Sequence, residues 1–246
     1  MKYISDQEGI FERYLEEHEG WQEHIRNSRE FIMECVRKNK PQSVVVMGSG
    51  WLLDVPLKEL AVECKQVYLA DIWHPRQVRA TVQDYPNCDL IYTDLTGGAV
   101  EAIYSLVKTY RRTGKIESLR SVTLSKPELP AGEGYMISVN IINQLDIILM
   151  NYLKRFIKYP EEEVSFFRKE IQENHVRLLR QGHSCLICDR EETILDQKNQ
   201  VVSTKKPVYI NFPEAKNIKE WKWHFDRGGA FSQGYKTEFN IIALEL

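Results

Sequence analysis

The feature that most constrains the fold is a regular alternation of short apolar runs with segments of helical periodicity. The first run, residues 43–47, is rich in β-branched side chains, as expected of a strand buried on both faces of a parallel sheet. Similar runs at 66–70, 89–93, 135–139 and 183–189 alternate with segments of helical spacing. This order predicts parallel strands joined by right-handed helical crossovers, which is an α/β fold.

The two ends of the chain complete the predicted architecture. Residues 5–40 have helical spacing, with a break predicted at Gly20, and residues 220–246 predict two strands joined by a glycine-rich turn. We predict a three-layer α/β/α sandwich, with a mostly parallel seven-stranded sheet, an antiparallel last strand and an N-terminal helical cap. In this prediction residues 1–40 form the cap and residues 41–246 form the main domain. Residues 191–219 have no clear pattern.

Charge and hydropathy narrow the function classes. The chain has 33 Lys and Arg residues against 35 Asp and Glu residues, a formal net charge of -2. Nucleic-acid-binding enzymes usually carry a basic excess or stripe, so this balance disfavours nucleic acid as a partner. No apolar stretch approaches the roughly 20 residues that span a bilayer, so no membrane association is predicted. A small-molecule substrate is therefore expected.

The five cysteines are scattered and odd in number, which is typical of reduced thiols in a cytoplasmic protein. The N-terminus also lacks the basic and apolar regions of a secretory signal, so we expect a cytoplasmic location. Cys185 and Cys188 have C-x-x-C spacing, but a tetrahedral zinc site needs four convergent ligands. We predict that they pack in the core and that the chain has no metal site.

The candidates for chemistry follow the first two predicted strands. The turn Gly48-Ser49-Gly50 lets the backbone approach a ligand closely, because a Cβ there would collide with it. Asp71 ends the second strand, where a carboxylate can accept both ribose hydroxyls of a nucleoside. NAD and S-adenosylmethionine both present such a ribose. A dinucleotide site needs a third glycine where this chain has Leu53, so an NAD-dependent oxidoreductase is the weaker alternative.

At these residues the chain resembles the class I S-adenosylmethionine-dependent methyltransferases, which are Rossmann-like, and it resembles them as a divergent member. The resemblance covers roughly residues 42–246 and rests on the segments 44–50, 67–71, 90–95, 138–144, 221–225 and 239–244. It implies that the turn Gly48-Ser49-Gly50 faces the methionine part and ribose of S-adenosylmethionine. It also implies that Asp71 holds the ribose hydroxyls.

The resemblance implies further positions around the cofactor. Ile72 would lie against the adenine, Asp94 and Leu95 at the adenine edge, and Asn140 near the sulfonium. Two residues depart from the family pattern: Val46 stands where an acid is usual, and Leu52 stands where a glycine is frequent.

Each candidate also has a structural alternative. The glycines can serve only a tight turn, and Asp71 and Asp94 can be N-caps of the helices that follow them, because Asp is a preferred cap. Asn140, Asn143 and Gln144 interrupt an apolar stretch, and buried amides cost free energy unless they are paired. They therefore either complete a buried hydrogen-bond network or line the pocket.

The N-terminal helix offers candidates for substrate contact. We predict that it covers the ligand as a lid, with Trp21 and His24 joining Asn140 and Gln144 around the substrate. The alternative is that His18 and His24 lie on a solvated helix face. The loop at 113–134 could form another wall of the pocket.

The predicted function is S-adenosylmethionine-dependent methyl transfer to an unidentified small molecule. In-line displacement at a sulfonium can be driven by alignment and desolvation, so no general base is required and no catalytic residue is assigned. The alternative from another class is a non-catalytic Rossmann-like protein that binds a nucleoside or a protein partner, because the departures at Val46 and Leu52 would suit a degenerate site.

Overall fold

The structure is a computed structural model that describes residues 3–130 and 134–246, and these residues form one eight-stranded sheet between two layers of helices. The strands are β1 Ser43–Met47, β2 Gln66–Asp71, β3 Cys88–Tyr92, β4 Tyr135–Val139, β5 Ser184–Leu195, β6 Val201–Lys205, β7 Asn217–Asp226 and β8 Lys236–Glu245. The helices are α1 Tyr3–Glu16, α2 His18–Asn39, α3 Leu57–Glu63, α4 Arg76–Val82, α5 Ala99–Thr113, α6 Ile147–Lys154 and α7 Glu161–Leu179.

The strand order is β3-β2-β1-β4-β5-β8-β7. Strands β1 to β5 are parallel, and β8 runs antiparallel between β5 and β7. The predicted α/β sandwich with a mostly parallel sheet and an antiparallel last strand is thus confirmed. The short strand β6 adds an eighth member from the stretch that has no clear sequence pattern. Strand β6 pairs with the far end of β5. Strand β5 extends beyond its predicted end at residue 189, because β8 pairs with β5 as far as Leu195.

Two apolar cores fill the space between the sheet and its helical layers. The first lies under α2, α3 and α4, and the second lies under α5, α6 and α7. Alternation along β1 sends Val44 and Val46 into the first core and Val45 and Met47 into the second. Burial of each such side chain contributes about 1.5–3 kcal/mol, so a strand that is apolar on both faces belongs at the centre of the sheet.

Strand β5 separates its two cysteines in the same way. Cys185 is buried in the first core and Cys188 in the second, on opposite faces of the sheet. Both thiols pack in the core, as their sequence context predicts, and their directions prevent them from sharing one metal ion. None of the helices within residues 3–130 and 134–246 is long and apolar enough to cross a membrane.

The N-terminal segment forms two helices, but the predicted break at Gly20 is wrong. The break lies at Glu17, and Gly20 is inside α2. A Cβ at Gly20 would lie 2.5 Å from the carbonyl oxygen of His224, so this glycine marks close packing of α2 against β7. The Glu17 carboxylate accepts hydrogen bonds from the amides of Arg227 at 3.0 Å and Gly228 at 2.8 Å. The junction of the two helices is therefore tied to the β7–β8 turn.

Candidate functional site

A cavity of about 160 Å³ lies at the carboxyl edge of the sheet. Strand order reverses there between β1 and β4, which is where open α/β sheets bind their ligands. All eleven site positions predicted from the sequence line this one cavity: Trp21, His24, Gly48, Ser49, Gly50, Asp71, Ile72, Asp94, Leu95, Asn140 and Gln144. The structure brings these residues together, while the individual roles given to them stay predictions.

The turn after β1 uses its two glycines differently. At Gly48, φ is +79°, and an added Cβ would lie 2.6 Å from the Cβ of Ile141, so packing against the chain after β4 requires this glycine. At Gly50, φ is +43° and an added Cβ would meet no atom closer than 3.9 Å. Gly50 therefore leaves room for the predicted close approach of a ligand, whereas Gly48 is required by packing inside the protein. Leu52 has φ +60°, so the backbone there keeps a glycine-like conformation.

Asp71, the last residue of β2, connects three elements through its carboxylate. Oδ2 accepts the Gly50 amide at 2.9 Å, while Oδ1 accepts the Ile72 amide at 2.8 Å and the Gln7 side-chain amide at 3.1 Å. The N-cap alternative for Asp71 is wrong, because Pro75 holds the N-cap position of α4. Burial raises the pKa of Asp71, and hydrogen bonds from the backbone amides of Gly50, Trp73 and Ile72 oppose that rise. The Asp71 carboxylate is therefore part of the cavity wall, and these hydrogen bonds hold it in place.

Asp94, after β3, organises the turn before α5. Its carboxylate accepts hydrogen bonds from the Thr96 amide at 2.9 Å, the Thr96 hydroxyl at 2.6 Å and the Gly98 amide at 3.2 Å. The Thr96 hydroxyl in turn accepts the Ala99 amide at 3.0 Å. Gly98 is the N-cap of α5, so Asp94 is not the cap itself but supports the turn that leads to it. Asp94 combines this structural role with a place in the cavity lining.

Asn140 lies just beyond β4 at the other end of the cavity, with φ +48°. Its Nδ2 is 2.6 Å from Asp54 Oδ2 and 3.0 Å from His24 Nε2. Asn140 therefore takes part in a polar network and also lines the cavity. The other two amides divide between the two alternatives: Asn143 donates to Asp189 at 2.6 Å in a buried network, and Gln144 lines the cavity.

Helix α2 supplies Trp21 and His24 to the cavity wall. The Trp21 indole donates to the carbonyl oxygen of Phe225 at 2.9 Å. The His24 ring stacks on Trp223 with centroids 3.9 Å apart and planes 6° apart, and His24 Nδ1 accepts the Trp221 indole N–H at 3.1 Å. The solvated-face alternative is therefore wrong for His24, which is 1% exposed. Burial lowers the pKa of His24, which favours the neutral imidazole.

The cavity lining also includes residues that sequence reasoning did not select, among them Gln7, Trp51, Asp54 and Trp223. Asp54 could have been found as the acid in the segment after the glycine turn, at the same edge of the sheet. Trp223 could have been found from its alternation with Trp221 and Phe225 along β7. None of the described residues of the 113–134 loop lines the cavity, so the expected second wall does not come from them.

Helix α1 covers the mouth of the cavity. Gln7 and Ile10 line it, the Trp51 indole donates to the Gln7 carbonyl oxygen at 2.8 Å, and Phe11 stacks on Trp51 at 4.3 Å. The cavity is partly open, and its 160 Å³ is smaller than the roughly 300–1,000 Å³ of most ligand pockets.

The sequence matches no protein-family model and no curated protein. Three solved structures have distant likeness to the chain. One is precorrin 8w decarboxylase from Methanobacterium thermoautotrophicum, with 14% identity over 88% of this chain and 87% of that chain and a TM-score of 0.32. Another is the N-methyltransferase NodS from Bradyrhizobium japonicum, in complex with S-adenosyl-L-homocysteine, with 9% identity over 88% and 85% and a TM-score of 0.37. The 23S rRNA methyltransferase ErmE has 12% identity over 89% and 68% and a TM-score of 0.33.

Proposed function

We propose that the protein is an S-adenosylmethionine-dependent methyltransferase that acts on a small molecule. The observation that carries this proposal is the position of Asp71, whose buried carboxylate faces the cavity from the end of β2 beside the glycine turn. A carboxylate at this position can accept the two hydroxyls of a ribose. Gln7, which now donates to Asp71, occupies part of that place and would give way to the ribose.

The remaining lining residues fit such a cofactor. The Ser49 hydroxyl and Asn140 Oδ1 are buried and have no hydrogen-bond partner among the described residues, although both residues line the cavity. Unpaired buried polar atoms cost free energy, so a polar ligand would satisfy them. Ser49 would contact the methionine part, while Ile72 and Leu95 would provide apolar surface for the adenine.

The length of the cavity also suits the cofactor. It reaches from Asp94 after β3 to Asn140 after β4, which are three strand spacings apart, or about 14 Å at roughly 4.8 Å per strand. When bound, S-adenosylmethionine supplies a methyl group on a cationic sulfur. The protein's part is to align the acceptor with that methyl group and to exclude water, and α1 and α2 are placed to close the site.

A dinucleotide suits the site less well. Pyrophosphate sites place a helix N-terminus directly after the glycine turn. Here α3 begins only at Leu57, and it is seven residues long. Leu53 packs partly against the first core, where a dinucleotide site would need a third glycine.

The test is a thermal-shift and calorimetry panel of S-adenosylmethionine, S-adenosylhomocysteine, NAD and NADP. We expect S-adenosylhomocysteine to raise the melting temperature, because a ligand that binds only the native state adds about 2.7 kcal/mol at a hundredfold excess over Kd. Absence of both heat and shift at millimolar S-adenosylhomocysteine would refute the proposal. A response to NAD alone would indicate an oxidoreductase. Binding of S-adenosylmethionine without turnover of any acceptor would favour a non-catalytic nucleoside-binding protein.

A further inference from the structure

The end of the cavity near Asn140 has a marked charge and aromatic character. Among the described residues that line the cavity there is no Lys or Arg, and there are three carboxylates: Asp54, Asp71 and Asp94. Asp71 and Asp94 lie at the β2 and β3 end and hold backbone amides. Asp54 lies at the opposite end, and among the described residues no Lys or Arg forms an ion pair with it. The cavity therefore favours a neutral or cationic ligand over an anionic one.

His24 lies beside this end of the cavity as a buried, neutral ring. Its Nδ1 accepts the Trp221 indole N–H at 3.1 Å, so the lone pair on that nitrogen is already used. Its Nε2 lies 3.0 Å from Asn140 Nδ2 and 3.9 Å from Asp54 Oδ2. Burial lowers the pKa of His24, so the ring is a poor acceptor for a further proton.

Asp54 accepts a hydrogen bond on one of its two oxygens. Its Oδ2 accepts the Asn140 amide at 2.6 Å, and His24 Nε2 lies 3.9 Å away. Oδ1 of Asp54 forms no hydrogen bond to any residue that the structure describes. The Asp54 side chain is 20% exposed and lines the cavity, so this oxygen is available to a ligand.

Two unpaired polar atoms and an aromatic wall surround this carboxylate. Asn140 Oδ1 and the Trp223 indole N–H are buried without a partner among the described residues. Trp21 and Trp223 also line this part of the cavity, with ring centroids 4.6 Å apart in an edge-on arrangement. The His24 ring covers one face of Trp223, so the two indoles serve as an apolar wall, while Asn140 Oδ1 and Asp54 Oδ1 can both accept N–H donors.

We infer that the methyl acceptor is an amine that binds through Asp54 and Asn140 against the Trp223 wall. This inference rests on the proposed methyl transfer. The amine binds as its ammonium ion and loses one proton to water before the transfer. The lone pair of the resulting neutral amine attacks the methyl carbon, an N–C bond forms, and the C–S electron pair stays on sulfur. The nitrogen becomes cationic again and then loses a second proton to water. Asp54 stabilises the positive charge that develops on this nitrogen, because its carboxylate faces the place where that charge forms.

An oxygen acceptor suits the same residues poorly. A hydroxyl must lose its proton to become a strong nucleophile, and the resulting anion would be repelled by Asp54. Burial lowers the pKa of His24, which makes its ring a poor base for that proton. A neutral amine needs no base in the transfer step, so its chemistry agrees with the residues present.

The experiment measures binding of three probes of one shape: benzylamine, benzyl alcohol and benzoate. Each is titrated by calorimetry at pH 7 into the protein with and without saturating S-adenosylhomocysteine. We expect benzylamine to bind roughly ten- to a hundredfold more tightly than benzyl alcohol, and benzoate to bind most weakly, because only the ammonium gains a charge-assisted bond to Asp54. Equal affinities for the three probes, or a preference for the alcohol or benzoate, would overturn the inference from the unmodified protein alone.

The variant Asp54→Asn tests whether Asp54 causes the preference for benzylamine. It keeps an oxygen that can accept the Asn140 amide but removes the charge. We expect it to reduce benzylamine affinity roughly ten- to a hundredfold and to change benzyl alcohol affinity by less than about threefold. Asp84→Asn, which removes an exposed carboxylate on the surface, is the matched control and should change neither. An equal loss in both variants, or an unchanged preference in Asp54→Asn, would show that Asp54 does not bind the amine.

The two proposals fail separately. A melting shift with S-adenosylhomocysteine but no amine preference would refute only the amine acceptor. An Asp54-dependent amine preference in a protein that ignores S-adenosylhomocysteine would keep the amine site and refute the methyl transfer.

Discussion

Replacing Asp71 by Ala tests the cofactor site most directly. Two ribose hydroxyls that donate to this carboxylate would form charge-assisted bonds of roughly 1.5–3 kcal/mol each. Binding must first break the Gln7–Asp71 hydrogen bond, which involves the same carboxylate and returns roughly 1.5–3 kcal/mol. The net loss in Asp71→Ala is therefore about 1.5–3 kcal/mol, or roughly ten- to a hundred-and-fiftyfold in the Kd for S-adenosylhomocysteine.

Asp71→Ala should also lower the stability of the fold, through hydrogen bonds that do not involve the ligand. The Gly50 and Ile72 amides lose their acceptor, so the melting temperature should fall by about a few degrees. Calorimetry of the folded variant separates the two effects, with Asp84→Ala as a control for loss of an exposed carboxylate. A Kd within about threefold of the original protein, together with a lower melting temperature, would show that Asp71 only fastens the turn to the sheet.

Three other substitutions test separate features. Gln7→Ala should tighten S-adenosylhomocysteine binding by roughly ten- to a hundredfold, because the bond to Asp71 need not be broken; weaker binding in calorimetry would show that Gln7 contacts the ligand instead. Burial raises the pKa of Asp189 to about 7, so its folded state holds the proton more tightly than the unfolded state, and the free energy of unfolding should fall as pH rises from about 4 to about 7. Asp189→Asn should remove this pH dependence, which amounts to at most about 4 kcal/mol in the free energy of unfolding measured by urea titration. An identical pH profile in both proteins would contradict the raised pKa of Asp189. Gly48→Ala should lower the free energy of unfolding by about 2–5 kcal/mol, because of its positive φ and its overlap with Ile141, and a neutral result in the same titrations would refute that packing.

The sequence predicts those parts of the molecule that depend on local pattern. The β-branched run at 43–47 becomes β1, and the apolar run at 135–139 becomes β4, each with the predicted bounds. The edge of the sheet that carries Asp71 follows from the order of the elements. These features need only periodicity and the rule that parallel strands end on the same side.

The remaining features depend on contacts between distant parts of the chain. Gly20 suggests a break in isolation, but its reason is the carbonyl oxygen of His224, which lies against α2. His24 looks like a surface residue until Trp221 and Trp223 are placed beside it. Asp54 gains its significance only from Asn140, 86 residues later. No local pattern encodes such pairings, because each depends on how separate elements pack.

The packing of α2 against β7 also determines when the cavity can exist during synthesis. The hydrogen bond from Trp21 to Phe225 joins residues 204 positions apart. At roughly 5–20 residues per second, a ribosome needs about 10–40 s to make the intervening chain. Throughout that interval α2 lacks β7, the strand on which it packs most closely, and Trp21 and His24 have no opposing tryptophan. The wall of the site is therefore among the last parts of the nascent protein to form.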